Sequence, residues 1–203
     1  MGKIEGHMLR KIIGNKIEYL FGYLEPFLPD HRIVPNILTF TGLGINLIGA
    51  LLFFEGFMKA AGIVILFAGL FDILDGAVAR ARNLATKIGA FTDSVVDRYS
   101  DFVIFGGILA YYIKNGDLTY SIVLLFVISG AFLISYIRAK AELIIPKCDV
   151  GLMERPERII VLALGCLFDM LKPALWFLAI FTHITAFYRI YYTIKVYKKD
   201  QPE

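Results

Sequence analysis

Residues 120–137 contain no charged side chain. A run of that length and polarity is sized for the hydrocarbon core of a bilayer, which a helix crosses in about 20 apolar residues. Apolar runs recur on both sides of it, and the 203-residue chain is 58% hydrophobic, with a mean hydropathy of +0.67. Ordinary soluble domains are only about 45–50% apolar. The pattern predicts an all-α polytopic membrane protein with six transmembrane helices, at residues 37–54, 60–80, 89–113, 120–140, 158–170 and 173–196. The fifth is the shortest, and depends on the turn Leu171-Lys172-Pro173 to end it. Six spans use roughly 120 residues, which leaves no room for a second soluble domain.

Ahead of the spans, Leu9, Ile12, Ile13, Ile17, Leu20, Phe21 and Leu24 share one face of a helix, with Arg10, Lys11, Lys16 and Glu18 elsewhere on it. Too polar to span, this segment reads as an amphipathic helix lying in the membrane interface. Pro26, Pro29 and Pro35 separate it from the first span. Residues 1–7 look like an expression-tag remnant, so residues 8–203 are expected to form a single membrane domain, with no cleavable signal peptide. Cys148 and Cys166 lack ligand spacing and read as small buried hydrophobes.

The distribution of basic residues sets the expected orientation. Arg10, Lys11, Lys16, Arg32, Arg80, Arg82, Lys87, Arg138, Lys140, Lys147, Arg155, Arg158, Lys195, Lys198 and Lys199 all fall in the N-terminal segment, the tail or two of the connections, or close to them. The three opposite connections hold only Lys59, Lys114 and Lys172. Both termini should therefore be cytoplasmic.

Four carboxylates break the apolar pattern. Asp72 and Asp75 share one face near the end of the second span, and Asp93 and Asp97, four apart, stack on one face of the third. Each such group costs about 2.5–3.5 kcal/mol near the centre of a span, so they need a partner. Arg80, Arg82, Lys87 and Arg98 are near in sequence, but a divalent ion is the stronger partner for clustered carboxylates. All-oxygen donors suit hard ions, and the absence of histidine between Asp72 and Asp97 disfavours zinc and iron. Gly76 and Gly89 remove side chains from the same faces, leaving space for a phosphate to approach, and Arg80 can cover charge that the ions leave over. Together these residues describe phosphoryl transfer.

Written out, Asp72 to Asp97 reads D-x2-D-G-x2-A-R-x8-G-x3-D-x3-D. This resembles, without a departure, the signature of the CDP-alcohol phosphotransferase family of membrane enzymes. The resemblance implies a homodimer, each subunit holding two Mg2+ or Mn2+ ions in a pocket that faces the cytoplasm. It implies that Asp72, Asp75, Asp93 and Asp97 bind metal and that Asp97 also acts as general base. Gly76, Ala79, Arg80 and Gly89 would belong to the CDP site. The stretch Pro35-Asn36-Ile37-Leu38-Thr39 looks like the family's first-helix entrance, which places Asn36 and Thr39 near the nucleotide; helix capping explains them equally well. Thr86 matches a further nucleotide contact. The expected reaction is attack by an acceptor hydroxyl on the phosphorus of a CDP-lipid, with release of CMP.

The second half of the chain bears on the acceptor. Ser135 and Arg138 share a helical face, Arg155 and Arg158 flank a helix start at Pro156, and Arg189 lies inside the last span, where it needs an anionic partner. Together these residues read as a pocket for a phosphorylated polyol. This half is similar to the phosphatidylinositol-phosphate synthase branch and its archaeal relatives, which implies inositol 1-phosphate as acceptor and contacts from Ser135, Arg138 and Arg189 to its phosphate. The alternatives are a phosphatidylglycerol-phosphate or di-inositol-phosphate-phosphate synthase and, from another class, a divalent-cation transporter. The lack of an inverted repeat disfavours the transporter. No nucleic-acid partner is expected.

Overall fold

The computed structural model describes residues 34–81 and 86–199. The expected interfacial helix at residues 9–24, and Arg82, lie outside them. The described residues form six α-helices and no strand: α1 (Val34–Phe54), α2 (Met58–Ala81), α3 (Lys87–Lys114), α4 (Leu118–Ala141), α5 (Arg155–Leu167) and α6 (Leu171–Lys199). Each corresponds to an expected span. The main difference is α5, whose 13 residues end at Leu167, ahead of the expected end at residue 170. Phe168 caps the helix and Asp169 takes a positive φ of 57°. That residue reverses the chain into α6 before Pro173 is reached.

Local chemistry sets the other boundaries. Gly56 turns the chain between α1 and α2 at φ +87°. Asp117 starts α4 by accepting a hydrogen bond from the Tyr120 amide at 3.2 Å. Among the described residues, α4 and α6 are long and apolar enough to cross a membrane. The length of α3 would suffice, but Asp93, Asp97, Arg98 and Asp101 make it polar as far as its middle.

The helices pack as α1 on α2 and α3, α2 on α5, α3 on α4, and α6 on α4 and α5. Phe53, Ile65, Ile104, Phe105, Ile108, Leu124, Leu162, Leu175 and Leu178 form the centre of the core. Gly107 lets α1 and α3 touch along their backbones, because a Cβ there would overlap the Ala50 carbonyl. The outer surface is apolar as well, with Phe40, Leu51, Phe126, Ile184 and Phe187 exposed. A bundle greasy both inside and outside fits lipid surroundings. Cys148 and Cys166 are buried free thiols.

Candidate active site

The site lies between α2, α3 and the start of α5. Helical phase brings Asp93 and Asp97 together on α3, and packing of the bundle adds Asp72 from α2. One carboxylate oxygen from each of the three lies within 4.8 Å of the others. An all-oxygen donor set of this size fits Mg2+ or Mn2+. The backbones of Asn36, Asp75, Gly76, Ala79 and Arg80 lie on α1 and α2, but their side chains are outside the described part.

Thr86 and Gly89 build the entry to α3. Thr86 is its N-cap, with the hydroxyl accepting a hydrogen bond from the Gly89 amide at 3.0 Å. Two of the seven residues expected at the nucleotide are thus in contact with each other, with Gly89 one turn before Asp93. Thr39 is buried on α1.

Arg155 reaches into the carboxylates. Its Nη1 pairs with Asp72 Oδ2 at 2.5 Å and also with Asp97 Oδ1, while its Nε lies 3.6 Å from Asp101 Oδ1. Arg155 is thus held by three carboxylates, those of Asp97, Asp72 and Asp101. Arg98 lies 3.7 Å from Asp97.

Beneath this level sits a buried pair. Arg158 is 1% exposed and Asp101 2%, and Arg158 Nη2 meets Asp101 Oδ2 at 2.5 Å. Arg158 Nη1 donates to the Met153 carbonyl at 2.7 Å.

The remaining cations gather elsewhere. Arg189 Nε donates to the Val150 carbonyl at 2.8 Å and its Nη1 to that of Ile134 at 2.9 Å. Its Nη2 donates to Glu154 Oε1 at 3.0 Å. The same oxygen accepts from Arg138 Nη1 at 3.3 Å, while Arg138 Nε binds Glu142 at 3.0 Å. Ser135, one turn before Arg138, gives its hydroxyl to the Ala131 carbonyl at 3.4 Å.

The five residues expected in one acceptor pocket therefore form two groups. Arg155 and Arg158 face the aspartates, Arg138 and Arg189 converge on Glu154, and Ser135 lies one turn before Arg138 with its hydroxyl on its own helix. Asp101 and Glu154 were not among the expected site residues. Asp101 continues the four-residue spacing of Asp93 and Asp97, which was a usable signal. Glu154 carried no such mark, because its partners come from two distant helices.

Comparison with known proteins identifies the family. The family described as CDP-alcohol phosphatidyltransferase matches residues 32–190. The archaetidylinositol phosphate synthase of Pyrococcus horikoshii is 36% identical over 160 residues, covering 78% of this chain and 82% of the relative. The phosphatidylinositol phosphate synthase of Mycobacterium marinum is 36% identical over 172 residues, covering 78% of this chain and 73% of the relative. The crystal structure of the Mycobacterium tuberculosis phosphatidylinositol phosphate synthase with CDP-DAG bound superposes with a TM-score of 0.76 at 32% identity, covering 94% of this chain and 98% of that one. The same enzyme in complex with manganese and citrate gives a TM-score of 0.75 at 31% identity, covering 94% and 93%. The chain belongs to the CDP-alcohol phosphatidyltransferase family of enzymes.

Proposed function

We propose that this enzyme transfers the phospholipid group of a CDP-lipid to a hydroxyl of inositol 1-phosphate, releasing CMP. The observation that carries the reading is the pairing of two sites of opposite charge at the start of α5. One is the carboxylate cluster of Asp72, Asp93 and Asp97; the other is the arginine pair Arg138 and Arg189, converging on a single anionic oxygen. The inositol phosphate synthases among the relatives support the choice of acceptor.

In this reading Asp72, Asp75, Asp93 and Asp97 hold two Mg2+ or Mn2+ ions per subunit. Divalent metal supplies charge neutralisation at the pyrophosphate of the CDP-lipid. Asn36, Thr39, Gly76, Ala79, Arg80, Thr86 and Gly89 seat the cytidine diphosphate. Ser135, Arg138 and Arg189 take the acceptor phosphate, and Arg155 bridges from the aspartates toward it. Arg158 supports that floor through Asp101. Asp97 removes the proton from the attacking hydroxyl as the new oxygen–phosphorus bond forms, and the bond from that phosphorus to CMP breaks. The chain crosses the membrane six times with both termini cytoplasmic, works as a homodimer in the cell membrane, and opens its site toward the cytoplasm and the surrounding lipid.

The test is CMP release by purified protein with CDP-diacylglycerol or CDP-archaeol and a panel of acceptors. Inositol 1-phosphate should support turnover, and Asp97→Asn should remove nearly all of it. Turnover with glycerol 3-phosphate but not inositol 1-phosphate would overturn the acceptor and retain the family.

A further inference from the structure

We propose that Glu154 is an internal competitor for the acceptor phosphate, and so sets how strongly the enzyme selects a phosphorylated acceptor. This rests on the reading that Arg138 and Arg189 bind that phosphate.

Arg189 is 1% exposed and held by two backbone carbonyls, from Ile134 on α4 and Val150 in the following connection. Those bonds fix the plane of its guanidinium and leave the Nη2 edge directed at Glu154. Arg138 is held through Nε by Glu142, and its Nη1 also points at Glu154. Arg138 Nη1 and Arg189 Nη2, neither of them used by the backbone carbonyls or Glu142, thus meet at one oxygen, Oε1 of Glu154. One carboxylate oxygen drawn between two guanidinium groups is the arrangement a phosphate oxygen adopts there. A phosphate cannot accept these N–H groups while the carboxylate keeps them.

Backbone position makes the displacement feasible. Glu154 is the N-cap of α5 but makes no side-chain capping bond. Its carboxylate has a second place to go, toward the Glu157 amide in the first turn of α5 (Pro156 offers none), where the helix dipole favours negative charge. A phosphate monoester carries close to two negative charges and three acceptor oxygens, enough to replace one carboxylate. A neutral polyol cannot compensate for two lost charge-assisted bonds. Glu154 therefore disfavours unphosphorylated alcohols at the position where the phosphate should sit.

The experiment measures inositol 1-phosphate and inorganic phosphate binding to the purified full-length protein by titration calorimetry, alongside KM and kcat for inositol 1-phosphate. Glu154→Gln keeps the size and removes the charge. Both phosphates should bind about tenfold tighter and KM should fall, while the thermal midpoint of the variant shows that it folds. Glu154→Asp retains the competitor and should stay close to the parent. Weaker binding in Glu154→Gln would overturn the proposal and make Glu154 a residue that orients the arginines. Unchanged binding would overturn it as well. Arg189→Gln separates the two readings. If it leaves inositol 1-phosphate affinity intact, the acceptor site itself is misassigned and the proposal falls with it. If it weakens affinity while Glu154→Gln fails to tighten it, only the role of Glu154 is wrong.

Discussion

Replacing Asp101 by asparagine preserves the side-chain shape and removes one charge from a position that is 2% exposed. Its partner Arg158 is 1% exposed and lies 2.5 Å away. The substitution leaves a guanidinium in the core with the Met153 carbonyl but no counter-charge. Breaking a buried pair from one side costs about 3–5 kcal/mol, because the remaining charge is left desolvated. For a chain of this size each kcal/mol moves the midpoint by about 2–4 °C, so Asp101→Asn should melt about 6–20 °C lower. The assay is thermal unfolding of the purified protein in detergent, followed by tryptophan emission or light scattering. Asp101→Leu combined with Arg158→Met removes both charges together and should recover most of the loss, since apolar replacement of a whole buried pair is often neutral or better. A midpoint within about 2 °C of the parent for Asp101→Asn would refute the reasoning. A double variant worse than the single one would show that the pair does more than neutralise itself.

Four other outcomes follow from the same geometry. Chelation should reduce CMP release to background, with recovery on adding Mg2+ or Mn2+, and Asp97→Asn should lower kcat by roughly 10²–10⁴ in the same assay. Arg155→Gln frees carboxylate oxygens of Asp72 and Asp97, so Mn2+ binding followed by electron paramagnetic resonance should tighten by about tenfold, the equivalent of one partly buried charge-assisted bond; unchanged or weaker binding would count against the contact. Gly107→Val drives a side chain into the Ala50 backbone and should cost about 1–3 kcal/mol from overpacking, read as a lower unfolding midpoint.

Much of this arrangement was legible in the sequence, for identifiable reasons. Asp93 and Asp97 are neighbours through helical period alone, so their juxtaposition needed no tertiary information. The helices followed from apolar runs, but the end of α5 did not, because its run is short and the turn at Asp169, a residue type that tolerates positive φ, is hidden by the apolar Leu167, Phe168 and Met170 around it. Contacts across long separations could not be read the same way. Arg158 meets Asp101 from 57 positions away, and Arg189 reaches Glu154 from 35. The sequence supplied the cations but not their division into two groups, since charge alone does not say which helix face turns toward which neighbour. Asp101 was overlooked because the recognised pattern stops at Asp97, although the four-residue spacing continues.

The brevity of α5 bears on where the substrates meet. Thirteen residues of helix span about 20 Å, against a hydrocarbon core of about 30 Å. Its end at Leu167 is tied closely to the start of α6 at Leu171, so the shortfall lies at the Glu154–Arg155 end. Asp97 lies ten residues into α3, about 15 Å from that helix's beginning. If α5 is a span, as proposed above, the chemistry is set in a dish sunk below the helix ends. On that proposal a lipid need not be lifted out of its leaflet to react; the water-soluble partner would descend to it, and the depth of the dish would set how far it must travel.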